Sequence, residues 1–156
     1  MAFDVMEINA INDDNIVGWL AGLMRVGEVD MDSVKSMVHN VMAKLGPNGL
    51  MERLNIMDHG NKDGFSVGKD FVTVANFADF ATVFAPLGPK FTGEGFVHLQ
   101  ACDIGKNQPL LKLMAKTLRV PVYGGTGKHN PIYRINLGDY VVCYPGGGCQ
   151  TDVPRP

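Results

Sequence analysis

A thiol and an imidazole occupy the same kind of position in this chain. Cys102 follows Phe96-Val-His-Leu-Gln-Ala101, where Val97, Leu99 and Ala101 alternate with Phe96, His98 and Gln100, the pattern of a buried strand with two faces. Gly105 turns the chain out of that strand. Asn107 or Gln108 then starts a helix with Pro109 in its first turn, where a missing N–H costs little. His59 follows a second short strand, Leu54-Asn-Ile-Met57, that ends at Asp58-His59-Gly60. In open α/β sheets, ligands bind at the C-terminal lip of the strands. If these two strands are parallel neighbours, Cys102 faces His59 across one crevice. The chemistry that suits such a pair is nucleophilic: the thiolate attacks, favoured by a nearby imidazole or helix N-terminus, and Cys102 is expected to have both. His59 would act as general base or imidazolium partner and then protonate the leaving amine. The N–H groups of Gly60 and Cys102 would receive a developing oxyanion. Each residue also has a plain reading, a small buried hydrophobe for the thiol and a hydrogen-bonded structural residue for the imidazole. Two strand-to-lip settings about 40 residues apart favour the chemical one.

The elements that must position the pair follow from periodicity and breakers. Phe3 to Ile8 alternates as a first strand. Asn12-Asp13-Asp14 starts a helix carrying Ile16, Val17, Leu20, Leu23 and Met24, and Gly27 to Asp30 ends it. Asp32 or Ser33 caps the next helix, with Val34, Met37, Val38, Val41, Met42 and Leu45 as its buried stripe and Gly46-Pro47 as its stop. Trp19 and His39, within these helices, read as packing residues. Phe65–Val67 and Phe71–Val74 flank Gly68-Lys69-Asp70 as a hairpin beside the lip. Asn76 caps a helix through Phe84, and Leu110 to Leu118 forms another. Val120 to Tyr123 reads as a short edge strand, and Ile132–Leu137 pairs with Tyr140–Tyr144 around Gly138-Asp139. Strands alternating with helices predict an α/β sandwich in three layers, a mostly parallel sheet of about six strands with helices on both faces. Residues 1–145 form the single domain, and 146–156 a poorly ordered Gly/Pro-rich tail.

Composition narrows the function. The 156 residues are one domain's worth, 46% hydrophobic and 19% charged, with a net charge of -2. No basic cluster points to nucleic acid, and no apolar run reaches the roughly 18–20 residues of a membrane span. The acidic N-terminus is not a signal peptide, so the expected compartment is the cytoplasm; leaderless secretion or excision from a larger protein would look the same. Three cysteines are too few for a disulfide framework. Cys143 and Cys149 lack zinc-knuckle spacing and are expected as free thiols, with a disulfide as the alternative in an oxidising compartment. No cofactor or metal is expected. Gly124-Gly-Thr-Gly-Lys128 is not a phosphate loop, because Val122 stands where a glycine is needed and His129 replaces the magnesium-holding hydroxyl. It is read as a wall of the cleft. His98, mid-strand, is expected to be satisfied internally.

The two lip blocks, Asp58-His59-Gly60 and Gln100-Ala101-Cys102-Asp103-Ile104-Gly105, resemble the active-site blocks of the caspase-like cysteine peptidases, each an apolar strand followed by His-Gly or Ala-Cys. In caspases the His lies about 50 residues upstream of Gln-Ala-Cys-x-Gly, from which Asp103-Ile104 departs. In look the chain is most similar to small bacterial caspase-like domains of large surface proteins, over about Leu54 to Gly127. The resemblance implies a caspase-like fold, with His59 as catalytic histidine, Cys102 as nucleophile, Gly60 as oxyanion donor, and a peptide or protein as substrate. Asp103 stands where caspases have Arg. With Tyr123, Gly124 and Asp139 it is expected to line a pocket that prefers Arg or Lys before the cleaved bond. The alternatives are a catalytically silent caspase-like binding module, and an α/β protein in which the pair is accidental.

Overall fold

The computed structural model describes residues 5–12 and 27–156. In chain order these form β1 (Val5–Ile11), β2 (Glu28–Asp30), α1 (Val34–Leu45), β3 (Leu50–Met57), β4 (Gly60–Asn61), β5 (Gly64–Val67), β6 (Asp70–Thr73), α2 (Phe77–Phe84) and β7 (Phe91–Gln100). They continue as α3 (Gln108–Leu118), β8 (Val122–Gly125), β9 (His129–Asn130), β10 (Ile135–Asn136), β11 (Tyr140–Cys143) and β12 (Cys149–Val153), with 3-10 turns at Ala85–Lys90 and Ile104–Lys106. The helix expected over residues 16–24, Trp19 with it, lies outside the described residues.

The main sheet has seven strands in the order β12-β11-β8-β7-β3-β1-β2. The run β2-β1-β3-β7-β8 is parallel, and β11 and β12 are antiparallel additions at one edge. The chain is therefore α/β with a mixed sheet. The three described α-helices share one core and pack side by side on one face of the sheet. Their connections β2 to β3, β3 to β7 and β7 to β8 all step across the sheet in the same direction. Right-handed crossovers stepping one way must lie on the same face. The second helical layer expected from the sequence is not found among the described residues.

Local chemistry explains the helix ends. Ser33 caps α1 by accepting the Ser36 N–H, while Ser36 Oγ accepts the Ser33 N–H, a reciprocal box. Asp70 of β6 accepts the Val34 N–H at 2.9 Å and so ties the small hairpin to the helix start. The α1 stripe is buried as expected, except that Met42 is only partly covered. Asn76 stands at the start of α2 but does not cap it, because its side chain turns back to the Thr73 N–H and the Phe71 carbonyl. Asn107 caps α3 through the Leu110 N–H.

Several strands differ from expectation. Glu28–Asp30 is a short parallel edge strand and not merely a break. Val122–Gly125 is interior, between β7 and β11. Ile135–Asn136 pairs with His129–Asn130 and not with β11, because β11 is occupied on both sides by β8 and β12. The tail is not loose: Cys149–Val153 closes a hairpin on β11. Cys143 and Cys149 are register partners there and form a disulfide, so they are not free thiols. Three consecutive glycines, 146–148, allow the tight return that brings the two sulfurs together.

Candidate active site

The β3–β7 pair runs in parallel register to Met57↔Gln100. His59 and Cys102 each follow two residues after that last pair, beyond the ends of the two strands. Both residues thus leave adjacent strands at the same lip. Asp58 organises that lip. Its Oδ1 accepts the His59 N–H at 2.7 Å, and its Oδ2 accepts the Gly68 N–H and the Asn12 amide. One carboxylate thereby joins the ends of β1 and β3 to the β5–β6 turn. Sequence reasoning gave Asp58 no role; the available signal was an Asp at a strand end, the residue type that captures nearby N–H groups.

Gly60 is where the two lips touch. A Cβ there would fall 2.7 Å from Ala101 Cβ and 2.9 Å from the Cys102 carbonyl oxygen, so only glycine allows this approach. Gly60 and Phe65 face each other in the β4–β5 ladder, and the Ser66 N–H donates to the His59 carbonyl at 2.8 Å. In an antiparallel ladder this makes Gly60–Phe65 a non-hydrogen-bonded pair, so the Gly60 N–H points away from β5. His59 itself is exposed and Cys102 is half-buried.

The setting of Cys102 differs from expectation in one respect. The α3 helix does not begin at the thiol; a 3-10 turn, Ile104–Lys106, comes first. The dipole directed at the sulfur is instead the His129 N–H, 3.4 Å from Cys102 Sγ. Asp103 takes a left-handed conformation (φ 59°), and its N–H donates to the Gly127 carbonyl at 2.9 Å.

The other expected pocket residues are dispersed. The Asp103 carboxylate forms an ion pair with Lys106 at 3.1 Å. Tyr123 is paired with His98 in mid-sheet and packs edge-on against Phe96, and burial followed by the nearby Tyr144 pushes its hydroxyl pKa up. Gly124 is buried, and a Cβ on it would lie 2.8 Å from Ile104 Cγ2. These two positions are therefore inside the sheet and not at the lip, because β8 extends further than its expected end. Asp139 is exposed and holds Thr126 through paired main-chain and hydroxyl bonds.

Beneath the lip, on the face away from the helices, the sheet is polar. Asn55 donates to Glu7 and to Asn9, and Arg53 donates to Asn55. From the 126–139 segment Arg134 reaches Glu7 and Asn9. Burial pushes the Glu7 carboxyl up, but the Arg134 hydrogen bond and charge, with Arg53 and Asn55, bring it below the usual value. His98 is fully buried, and its Nδ1 lies 3.3 Å from Arg53 and 3.4 Å from the Gln100 amide nitrogen. Arg53 can only donate, so Nδ1 accepts and the ring proton sits on Nε2. Burial, then the charge of Arg53, holds the His98 pKa well below its usual value. Its Nε2 and Gln100 Oε1 have no hydrogen-bond partner, so the expected internal satisfaction is only half met. A pocket of about 310 Å³ lined by Met6, Glu7, Glu52, Arg53 and Phe96 opens on this face, with Arg53 5.3 Å above the Phe96 ring.

Among the described residues, no group of three or more His, Cys, Asp or Glu side chains is arranged to hold a metal ion, and no helix is long and apolar enough to cross a membrane. No protein-family model matches the chain, and no curated protein does.

Proposed function

We propose that this chain is a caspase-like cysteine peptidase in which His59 and Cys102 form the dyad. The supporting observation is the β3–β7 register, which ends two parallel neighbours two residues before His59 and Cys102, with Gly60 packed against Ala101 and the Cys102 backbone. In this reading His59 takes the Cys102 proton and Sγ attacks the scissile carbonyl carbon. The oxyanion that forms receives the N–H of Gly60, which points out of the β4–β5 ladder, and that of Cys102. His59 then protonates the leaving amine, and water hydrolyses the thioester. A three-layer caspase-like arrangement belongs to the same proposal. So does a preference for Arg or Lys before the cleaved bond, for which Asp103 and Asp139 supply the carboxylates and Lys106 is an internal competitor. The Cys143–Cys149 disulfide favours an oxidising compartment over the cytoplasm.

Cleavage of a mixed peptide library by the wild type, Cys102→Ala and His59→Ala tests the reading. Either substitution is expected to lower kcat/KM by at least about a thousandfold, as loss of a dyad member does. Cleavage that survives both substitutions, or no cleavage of any peptide by the wild type, would reject it.

A further inference from the structure

The glycine-rich segment after β8 is built around one side chain, Asn136. It is buried, 4% exposed, and both ends of its amide bond that segment. Oδ1 accepts the N–H of Gly127 at 2.9 Å and of Gly138 at 2.8 Å, and Nδ2 donates to the Gly127 carbonyl at 2.8 Å. Exchanging oxygen and nitrogen would break all three bonds, so the network fixes the amide's orientation. Its main-chain N–H donates to the Tyr140 hydroxyl at 2.8 Å, which braces it from β11. The glycines make room: a Cβ on Gly125 would lie 2.0 Å from Asn136 Cγ, and one on Gly127 would lie 2.6 Å from the Gly138 nitrogen.

Two of the contacts around Asn136 lead to Cys102. The Gly127 carbonyl it grips also accepts the N–H of Asp103, the residue after the thiol. Asn136 is the register partner of His129, whose N–H reaches Cys102 Sγ. A backbone N–H directed at sulfur sets the positive end of a dipole at the atom that is negative in the reacting thiolate. We propose that Asn136, braced by Tyr140, is a positioning residue for Cys102: it holds the His129 N–H on the sulfur and Asp103 against Gly127. This deepens the peptidase reading and rests on it for its consequence in catalysis, but the positioning itself is read at the thiol.

Cys102 is the cysteine outside the disulfide, so alkylation by an uncharged reagent reports on it alone. The rate is measured across pH on the full disulfide-intact chain, for the wild type, Asn136→Ala and Tyr140→Phe, with near-ultraviolet circular dichroism as the check on folding. Asn136→Ala is expected to slow alkylation near neutral pH about tenfold, the effect of losing one donor to a charged acceptor, and to displace the pH–rate profile to higher pH. Tyr140→Phe keeps the core volume and is expected to act in the same direction by a smaller factor. Should Asn136→Ala fail to fold, Tyr140→Phe decides. Unchanged or faster alkylation with an unmoved profile in a folded variant would overturn the proposal. If alkylation slows as expected but no peptide is cleaved, the positioning stands and the peptidase reading falls. If peptides are cleaved but alkylation is indifferent to Asn136 and Tyr140, the reverse holds.

Discussion

His98 should make the stability of this protein depend on pH in a window where carboxylates do not. It is fully buried on the polar face of the sheet, and Arg53 forces its Nδ1 to accept, so the native ring is neutral. Its pKa is held well below 6.5 by burial first and by the charge of Arg53 second. In the unfolded chain the ring protonates normally near pH 6.5. Below that pH the unfolded state binds a proton that the native state refuses, so stability falls as pH falls. One proton per molecule costs at most about 1.4 kcal/mol near pH 5.5 relative to pH 8, and the loss grows as pH falls for as long as the native ring stays neutral. Glu7 works in the same direction but in a lower window: its depressed carboxyl contributes stability that is present above 4.5 and is lost as pH falls through its folded value. The perturbation is His98→Asn, whose side-chain oxygen can still accept from Arg53. Urea unfolding of wild type and variant at about pH 8, 5.5 and 4.5 supplies the three free energies. The variant is expected to be less stable at pH 8 and to lose about 1 kcal/mol less than the wild type between pH 8 and 5.5. Equal slopes in the two proteins would refute the reasoning, because they would mean that His98 protonates in the folded state without resistance.

Three other outcomes are expected. Gly60→Ala should abolish Cys102-dependent cleavage and cost about 1–3 kcal/mol in thermal unfolding, because the new methyl meets Ala101 and the Cys102 carbonyl; a fully active, stable variant would contradict the close approach. Reducing the Cys143–Cys149 disulfide should destabilise the chain by roughly 2 kcal/mol, the loop-entropy value for so short a loop, read as a lower denaturant midpoint with reductant. Lys106→Ala frees the Asp103 carboxylate and should raise the library's preference for Arg or Lys before the cleaved bond by about two- to fivefold, the scale of an exposed ion pair; a shift towards Asp would reject Asp103 as a specificity residue.

Where a segment's own chemistry settles its structure, sequence reading succeeded. The α1 stripe with its Ser33 cap, the hairpin around Gly68-Lys69 and the Asn107 start of α3 all depend on contacts within a few residues. It failed where a distant strand decides the outcome. Val120–Tyr123 looked like an edge strand followed by a glycine loop, yet the strand runs from Val122 to Gly125 and β11 pairs with it through Gly125. The tail looked loose because glycine and proline dominate it, yet the edge of β11 was open for Cys149–Val153 to pair with. His98 seemed an ordinary buried histidine; that Arg53 directs its tautomer depends on a neighbouring strand.

The candidate site divides in the same way. That His59 and Cys102 each end a strand follows from apolar alternation stopped by a glycine-containing turn, which is local information. That the two strands are neighbours in register is tertiary, because strand order depends on which hydrophobic faces pair across the whole sheet. The parts that surround the thiol were not readable at all. Asp58 gathers N–H groups from the β5–β6 turn as well as its own lip, and Asn136 works through glycines on either side of it in sequence. Asparagine and aspartate carry no periodic signal, and their roles exist only once the folded backbone presents unpaired N–H groups within about 3 Å of them.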